Sequence, residues 1–133
     1  MFKTGLAMID AEHAFSRARR RARLRRLTRS RAQLAVYEQP DGYVRAGLRE
    51  IPLEAVSGTL EPSRAHQFDA EFRPVRGAAR RRWENIWIAA ERGVPLPPIS
   101  VVRVGDGFAV RDGHHRVSVA RARGAGAIDA LVA

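Results

Sequence analysis

The sequence predicts an α+β fold, a small mixed sheet with packed helices, preceded by a long basic N-terminal helix. Three observations lead there. The opening third is rich in arginine and alanine, with apolar residues at helical spacing. The β-branched run Ile99-Ser100-Val101-Val102-Arg103-Val104 is followed by Gly105-Asp106-Gly107 and Phe108-Ala109-Val110, the pattern of a hairpin. Directly after Asp112-Gly113 comes a further helical stretch that ends at Gly124. At 133 residues and 45% apolar composition, one modest core is expected rather than two full domains. The expected division is a basic helical extension over residues 1–42 and an α+β body over residues 43–133.

The opening helix is expected from about Asp10 to Tyr37. Ala14, Phe15, Ala18 and Ala22 mark one face, and Leu24, Leu27, Leu34 and Ala35 continue a looser apolar track. So thin a stripe leaves this helix either projecting from the body or packed against a second copy. Gln39-Pro40-Asp41-Gly42 supplies its stop. A first strand or irregular hairpin follows between Tyr43 and Leu53, and Pro52 confines it to a sheet edge or to the strand's end. From Glu54 to Phe72 no period survives Gly58, Pro62 and Ser63, so loop and a short helical turn are expected. Ala79, Trp83, Ile86, Trp87 and Ala90 form one apolar face of a helix from about Gly77 to Glu91, closed by Gly93, with both tryptophans in the core. Pro95-Leu96-Pro97-Pro98 is extended and leads into the hairpin. The last helix spans about His114 to Arg123, and Ile128 to Val132 makes a final strand.

The absence of cysteine excludes disulfides, thiolate metal sites and cysteine nucleophiles, and suits a reducing cytosol. No stretch approaches the roughly 20 apolar residues of a membrane span. A cytoplasmic protein without membrane partners is expected, nucleoid-associated if its basic helix meets DNA. The net charge of +10 is concentrated in that helix. Arg17, Arg19, Arg20, Arg21, Arg23, Arg25, Arg26, Arg29 and Arg31 follow one another with no acid between, and the rest of the chain balances 15 basic against 14 acidic side chains. These nine arginines can neutralise the phosphates of DNA or another polyanion, or dock an acidic protein, or form a solvated face. Sequence readout is not expected, because the helix has almost no Asn or Gln to bond base edges. Arg80, Arg81 and Arg82 form a second, smaller basic cluster able to line a phosphate channel.

The run Val110-Arg111-Asp112-Gly113-His114-His115-Arg116-Val117-Ser118-Val119-Ala120 joins a strand end, a tight polar turn and the first turn of a helix. Helix N-termini carry unpaired N–H groups and partial positive charge. Asp112 or Gly113 is the expected N-cap, and the amides of Gly113, His114, His115 and Arg116 face the strand-to-helix crevice. One reading is an anion site to which Arg116 adds a forked bond. The other is a capped helix in which Asp112 bonds backbone amides and Arg116 pairs with a surface carboxylate. His114 and His115 are candidates for metal ligation or general base chemistry, or are plain structural histidines.

From Glu50 to Val132 the order "REIPLEAV", the Trp83 to Gly93 helix and "PLPPISVVRVGDGFAVRDGHHRVSVARARGAGAIDALV" resembles the ParB and sulfiredoxin superfamily, with "DGHHRVSVARARG" the most specific part. The resemblance implies that fold, with a CTP or ATP pocket, Mg²⁺ accompanying the nucleotide, and Gly113 and Arg116 as the matching residues of the nucleotide-binding turn. Val119 stands where partition proteins usually have alanine. Asp112 is the expected Mg²⁺ contact, or else a helix cap. Sulfiredoxins need a cysteine in this turn, where His114 stands, so sulfinic acid reduction is not expected. The helix-turn-helix domain of partition proteins is missing from the sequence, so a CTP-gated clamp is not expected either.

Three functions follow as expectations. The first is nucleotide binding with DNA association through the basic helix and slow triphosphate hydrolysis. The second is a small-molecule kinase or metal-dependent nuclease of the same fold, with Glu54 and Asp112 as catalytic acids; Glu54 is otherwise a solvent-facing carboxylate near a helix start. The third is a non-catalytic adaptor or homodimer built through the N-terminal helix.

Overall fold

The computed structural model describes residues 5–28, 33–42 and 44–133. A six-stranded mixed sheet, in the order β1-β3-β5-β4-β6-β2, carries the fold. The elements are α1 (Ala7–Thr28), β1 (Ala35–Val36), β2 (Gly47–Pro52), a 3-10 turn (Leu53–Ala55), β3 (Val56–Thr59), α2 (Pro62–Ala65), α3 (Arg80–Glu91), β4 (Ile99–Val104), β5 (Gly107–Asp112), α4 (His114–Ala122) and β6 (Ala127–Val132). The expected α+β class is therefore observed.

The hairpin β4–β5 lies in the middle of the sheet, with Ile99, Val101 and Val110 fully buried. The alternation of their apolar residues is what a half-buried strand requires. β2 pairs with β6 along its whole length, from Gly47 opposite Val132 to Pro52 opposite Ala127, and forms one edge. Pro52, which has no N–H to donate, ends that strand as expected.

Two strands correct the sequence reading. Residues 56–59, expected as loop, form β3, which runs parallel to β5 on one side and β1 on the other. Val56-Ser57-Gly58-Thr59 is too short and too mixed to announce a strand, and its register with β5 shifts between Val56 and Gly58. Gly58 is needed because a β-carbon there would sit 2.3 Å from the Ala35 carbonyl oxygen. Ala35 and Val36, expected in the opening helix, instead pair with Gly58 and Thr59. The helix reaches Thr28, not Tyr37, and Leu34 is buried in the sheet's core.

Nor does α1 project. Ala11, Ala14, Phe15 and Ala18 share a core with Trp83 and Trp87 of α3 and Val119 of α4. Phe15 meets Trp83 edge to face at 5.4 Å, an arrangement favourable by about 1 kcal/mol beyond burial. Small residues let the α1 backbone approach α3 closely, so the thin alanine stripe marks a docking face. Arg80 strengthens the junction: its guanidinium lies 5.1 Å from the Phe15 ring centre and donates to Glu84 at 3.0 Å and to Ser16 at 3.5 Å. Both tryptophans are in the core as expected, and the Trp83 indole N–H donates to the buried Ser118 hydroxyl at 2.9 Å. Among the described residues no helix is long and apolar enough to cross a membrane.

Candidate functional site

Asp112 ends β5, Gly113 is the N-cap of α4, and no side chain caps that helix. Asp112 as a cap, one of the two sequence readings, is thus replaced by glycine. Gly113 has φ +106°, a conformation that L side chains rarely adopt, and a β-carbon there would lie 2.5 Å from Ile99 Cγ2. Only glycine allows the chain to leave β5, press against β4 and enter α4 within one residue. Val117 makes the first helical bond, to the Gly113 carbonyl at 3.0 Å. The amides ahead of it belong to the uncapped first turn, where the helix carries its positive end.

Arg116 holds this turn to the lead-in of β4. Its Nη1 donates to the carbonyls of Pro97 at 2.5 Å and Pro98 at 3.0 Å, and its Nη2 donates to Asp112 Oδ2 at 3.1 Å. The Arg116 side chain is only 15% exposed whereas that of Asp112 is 79% exposed. Arg116 therefore shapes the turn in this structure, with three of its five N–H donors engaged by Pro97, Pro98 and Asp112.

His114 and His115 point inward. His114 Nε2 lies 2.6 Å from the Thr59 hydroxyl, which also receives the Glu61 N–H at 2.8 Å. The His114 ring stacks on Phe68, and the His115 ring meets Phe68 edge-on. Burial lowers both imidazoles to about 4, assisted by Arg64 at His114 and by Arg82 and Arg64 at His115. Both are neutral at pH 7. Among the described residues no group of three or more His, Asp or Glu gathers as a metal site.

The neighbours of the two rings reveal what the sequence order hides. Arg64, from the four-residue helix α2, and Arg82, from α3, both bring positive charge to the start of α4. Arg82 belongs to the small basic cluster singled out in the sequence. Arg64 was missed, because it lies in an aperiodic segment and only the packing of α2 beside β3 brings it here.

Glu54 lies elsewhere. It borders a cavity of about 340 Å³ together with Arg17, Arg21, Glu71, Arg73 and Arg121, at the C-terminal end of α4. Asp112 precedes the other end, and nine helical residues span about 13 Å. The structure does not bring the two candidate catalytic acids together. Arg121 is held in that cavity's wall by bonds to the Leu53 carbonyl at 2.8 Å and the Val56 carbonyl at 3.3 Å.

The α1 arginines divide by face. Arg17 and Arg21 border the cavity, Arg19 leans towards Gly77, and Arg20, Arg23 and Arg25 are exposed. Arg29 and Arg31 lie outside the described residues, as does the side chain of Arg26.

The structure is similar to the crystal structure of sulfiredoxin from Arabidopsis thaliana, with a TM-score of 0.48 and 17% sequence identity, covering 65% of this chain and 84% of that chain. No protein-family model matches the chain, and no curated protein does.

Proposed function

We propose that the chain binds the phosphates of a nucleoside triphosphate, CTP or ATP, at the start of α4. The observation that carries this reading is the convergence of Arg64 and Arg82 on an uncapped helix N-terminus whose N-cap glycine lets the backbone approach a ligand. The amides of His114, His115 and Arg116 bond phosphate oxygens, Arg64 and Arg82 neutralise charge, and Arg116 keeps the turn in shape. The histidine rings face the core and supply packing rather than catalysis. Asp112, exposed beside the turn, is the carboxylate in place to meet a Mg²⁺ ion carried by the nucleotide, which needs only one or two protein ligands besides phosphate oxygens. Binding with slow hydrolysis at most fits better than a kinase or nuclease, since Glu54 stands about a helix length from the turn.

Calorimetric titration with CTP, ATP, GTP and UTP in Mg²⁺ tests the reading. At least one is expected to bind at sub-millimolar concentration, and Arg64→Ala with Arg82→Ala to weaken it tenfold or more. Absence of binding by all four overturns it.

A second reading rests on Arg20, Arg23 and Arg25, exposed along α1. They provide a non-specific contact to DNA, cytoplasmic or nucleoid-associated, through phosphate neutralisation. The adaptor or homodimer reading has less support, because the apolar face of α1 is already covered by α3 and α4.

A further inference from the structure

Outside the nine arginines from Arg17 to Arg31 the linear sequence balances its charges, but the fold does not. Arg45, Arg49, Arg103 and Arg111 line one groove of about 610 Å³ with no Asp or Glu side chain among its described lining residues. Arg49 comes from β2, Arg103 from β4 and Arg111 from β5, while Arg45 comes from the segment leading into β2. Val102 and Arg111 alternate with Val101 and Val110, which pack into the core shared with Val117 of α4, so they turn to the opposite face of the sheet. Among the described residues no helix residue borders the groove. Arg49 and Arg103 lie over Phe108, on the face that carries Val101 and Val110, so the groove takes arginines from both faces of the sheet.

All four arginines are exposed, and no carboxylate among the described residues forms an ion pair with them. Arg49 and Arg103 both lie over the Phe108 ring, with guanidinium carbons 5.8 and 5.5 Å from its centre. Those two charges are thus at most about 11 Å apart. Guanidinium groups remain charged at every relevant pH, so this row repels itself when empty. An anion that presents charge repeatedly along its length relieves that repulsion better than a single phosphate. Exposed Val44 and Leu48 give the groove an apolar side against which sugar or base can lie.

We propose that this groove binds the sugar-phosphate backbone of nucleic acid. The assignment does not rest on the α1 contact or on the nucleotide site, whose residues do not line the groove. The four forks match phosphate oxygens bidentately, and a backbone lying along them contacts several phosphates at once.

The test is fluorescence anisotropy of labelled 30-nucleotide single strands and 30-base-pair duplexes against the intact chain across a salt series. The variants are Arg103→Gln with Arg111→Gln in the groove, and Arg20→Gln with Arg23→Gln on α1. Glutamine keeps much of the side-chain stem, and thermal melting checks that each variant stays folded. The groove pair is expected to weaken binding at least tenfold at low salt. It should reduce the slope of log affinity against log salt by about 1.8 on duplex or about 1.4 on single strands, and the strand form bound more tightly identifies the backbone geometry. Binding unchanged in the folded groove variant overturns the proposal, even if the α1 variant loses affinity. So does wild-type binding to neither strand form, or displacement of the oligonucleotide by polyglutamate at equal charge concentration.

Discussion

His114 Nε2 and the Thr59 hydroxyl lie 2.6 Å apart, joining the first residue of α4 to the last residue of β3 in the buried interior. This bond ties the turn that begins α4 to the strand that the sequence did not reveal. Replacing Thr59 with valine removes the partner while keeping the shape, and is expected to cost about 1–3 kcal/mol. Thr59→Ser should restore most of it. Urea denaturation of the three proteins checks this, and equal stability of the valine and wild-type chains would contradict it.

Acid should destabilise the fold through His114 and His115. Both are lowered from 6.5 to about 4 in the folded state, chiefly by burial. The unfolded chain therefore takes up protons that the native state refuses. Their contribution is complete above about pH 6.5 and is lost as pH falls towards 4, by up to about 3 kcal/mol for each ring. Denaturation midpoints between pH 7 and 4.5 should fall steeply, and a folded His114→Gln, His115→Gln chain should lose most of that slope.

At Gly113 the backbone and the neighbouring strand both exclude a side chain. Alanine there would occupy φ +106° and meet Ile99 Cγ2 at 2.5 Å. Gly113→Ala is expected to destabilise by about 2–4 kcal/mol. Calorimetric melting measures this, and a loss below about 1 kcal/mol would show that the turn is not built as described.

The docking of α1 predicts a large effect from one residue far from the turn. Phe15 is 1% exposed and meets Trp83, so Phe15→Ala should cost about 3–5 kcal/mol. Hydrogen exchange should show the α1 amides losing protection. If α1 were a projecting arm, neither change would occur.

The parts of this fold legible in the sequence are those specified by local pattern. The Val-rich hairpin around Gly105-Asp106, the Trp83 and Trp87 face, and the edge position of Pro52 each follow from neighbours within a few residues. β1 and β3 do not, because their pairing depends on the missing side chain of Gly58 meeting a carbonyl 23 positions earlier. The helix end was misread for a related reason: alanine and arginine favour helix up to Ala35, but pairing with β3 draws Ala35 and Val36 into the sheet. At the site, Gly113 and the turn were legible, whereas the engagement of Arg116 by Pro97 and Pro98 was not. Arg64 and the arginine groove are tertiary features, assembled from segments distant in the chain.

Amide mapping decides whether phosphates rest on the first turn of α4. In ¹⁵N-labelled protein titrated with Mg²⁺ and the tightest-binding triphosphate, the largest shifts are predicted at the amides of Gly113, His114, His115 and Arg116, with smaller ones at Arg64 and Arg82. Shifts confined to the cavity of Arg17, Arg21 and Arg121, or no shift at millimolar nucleotide, would contradict it.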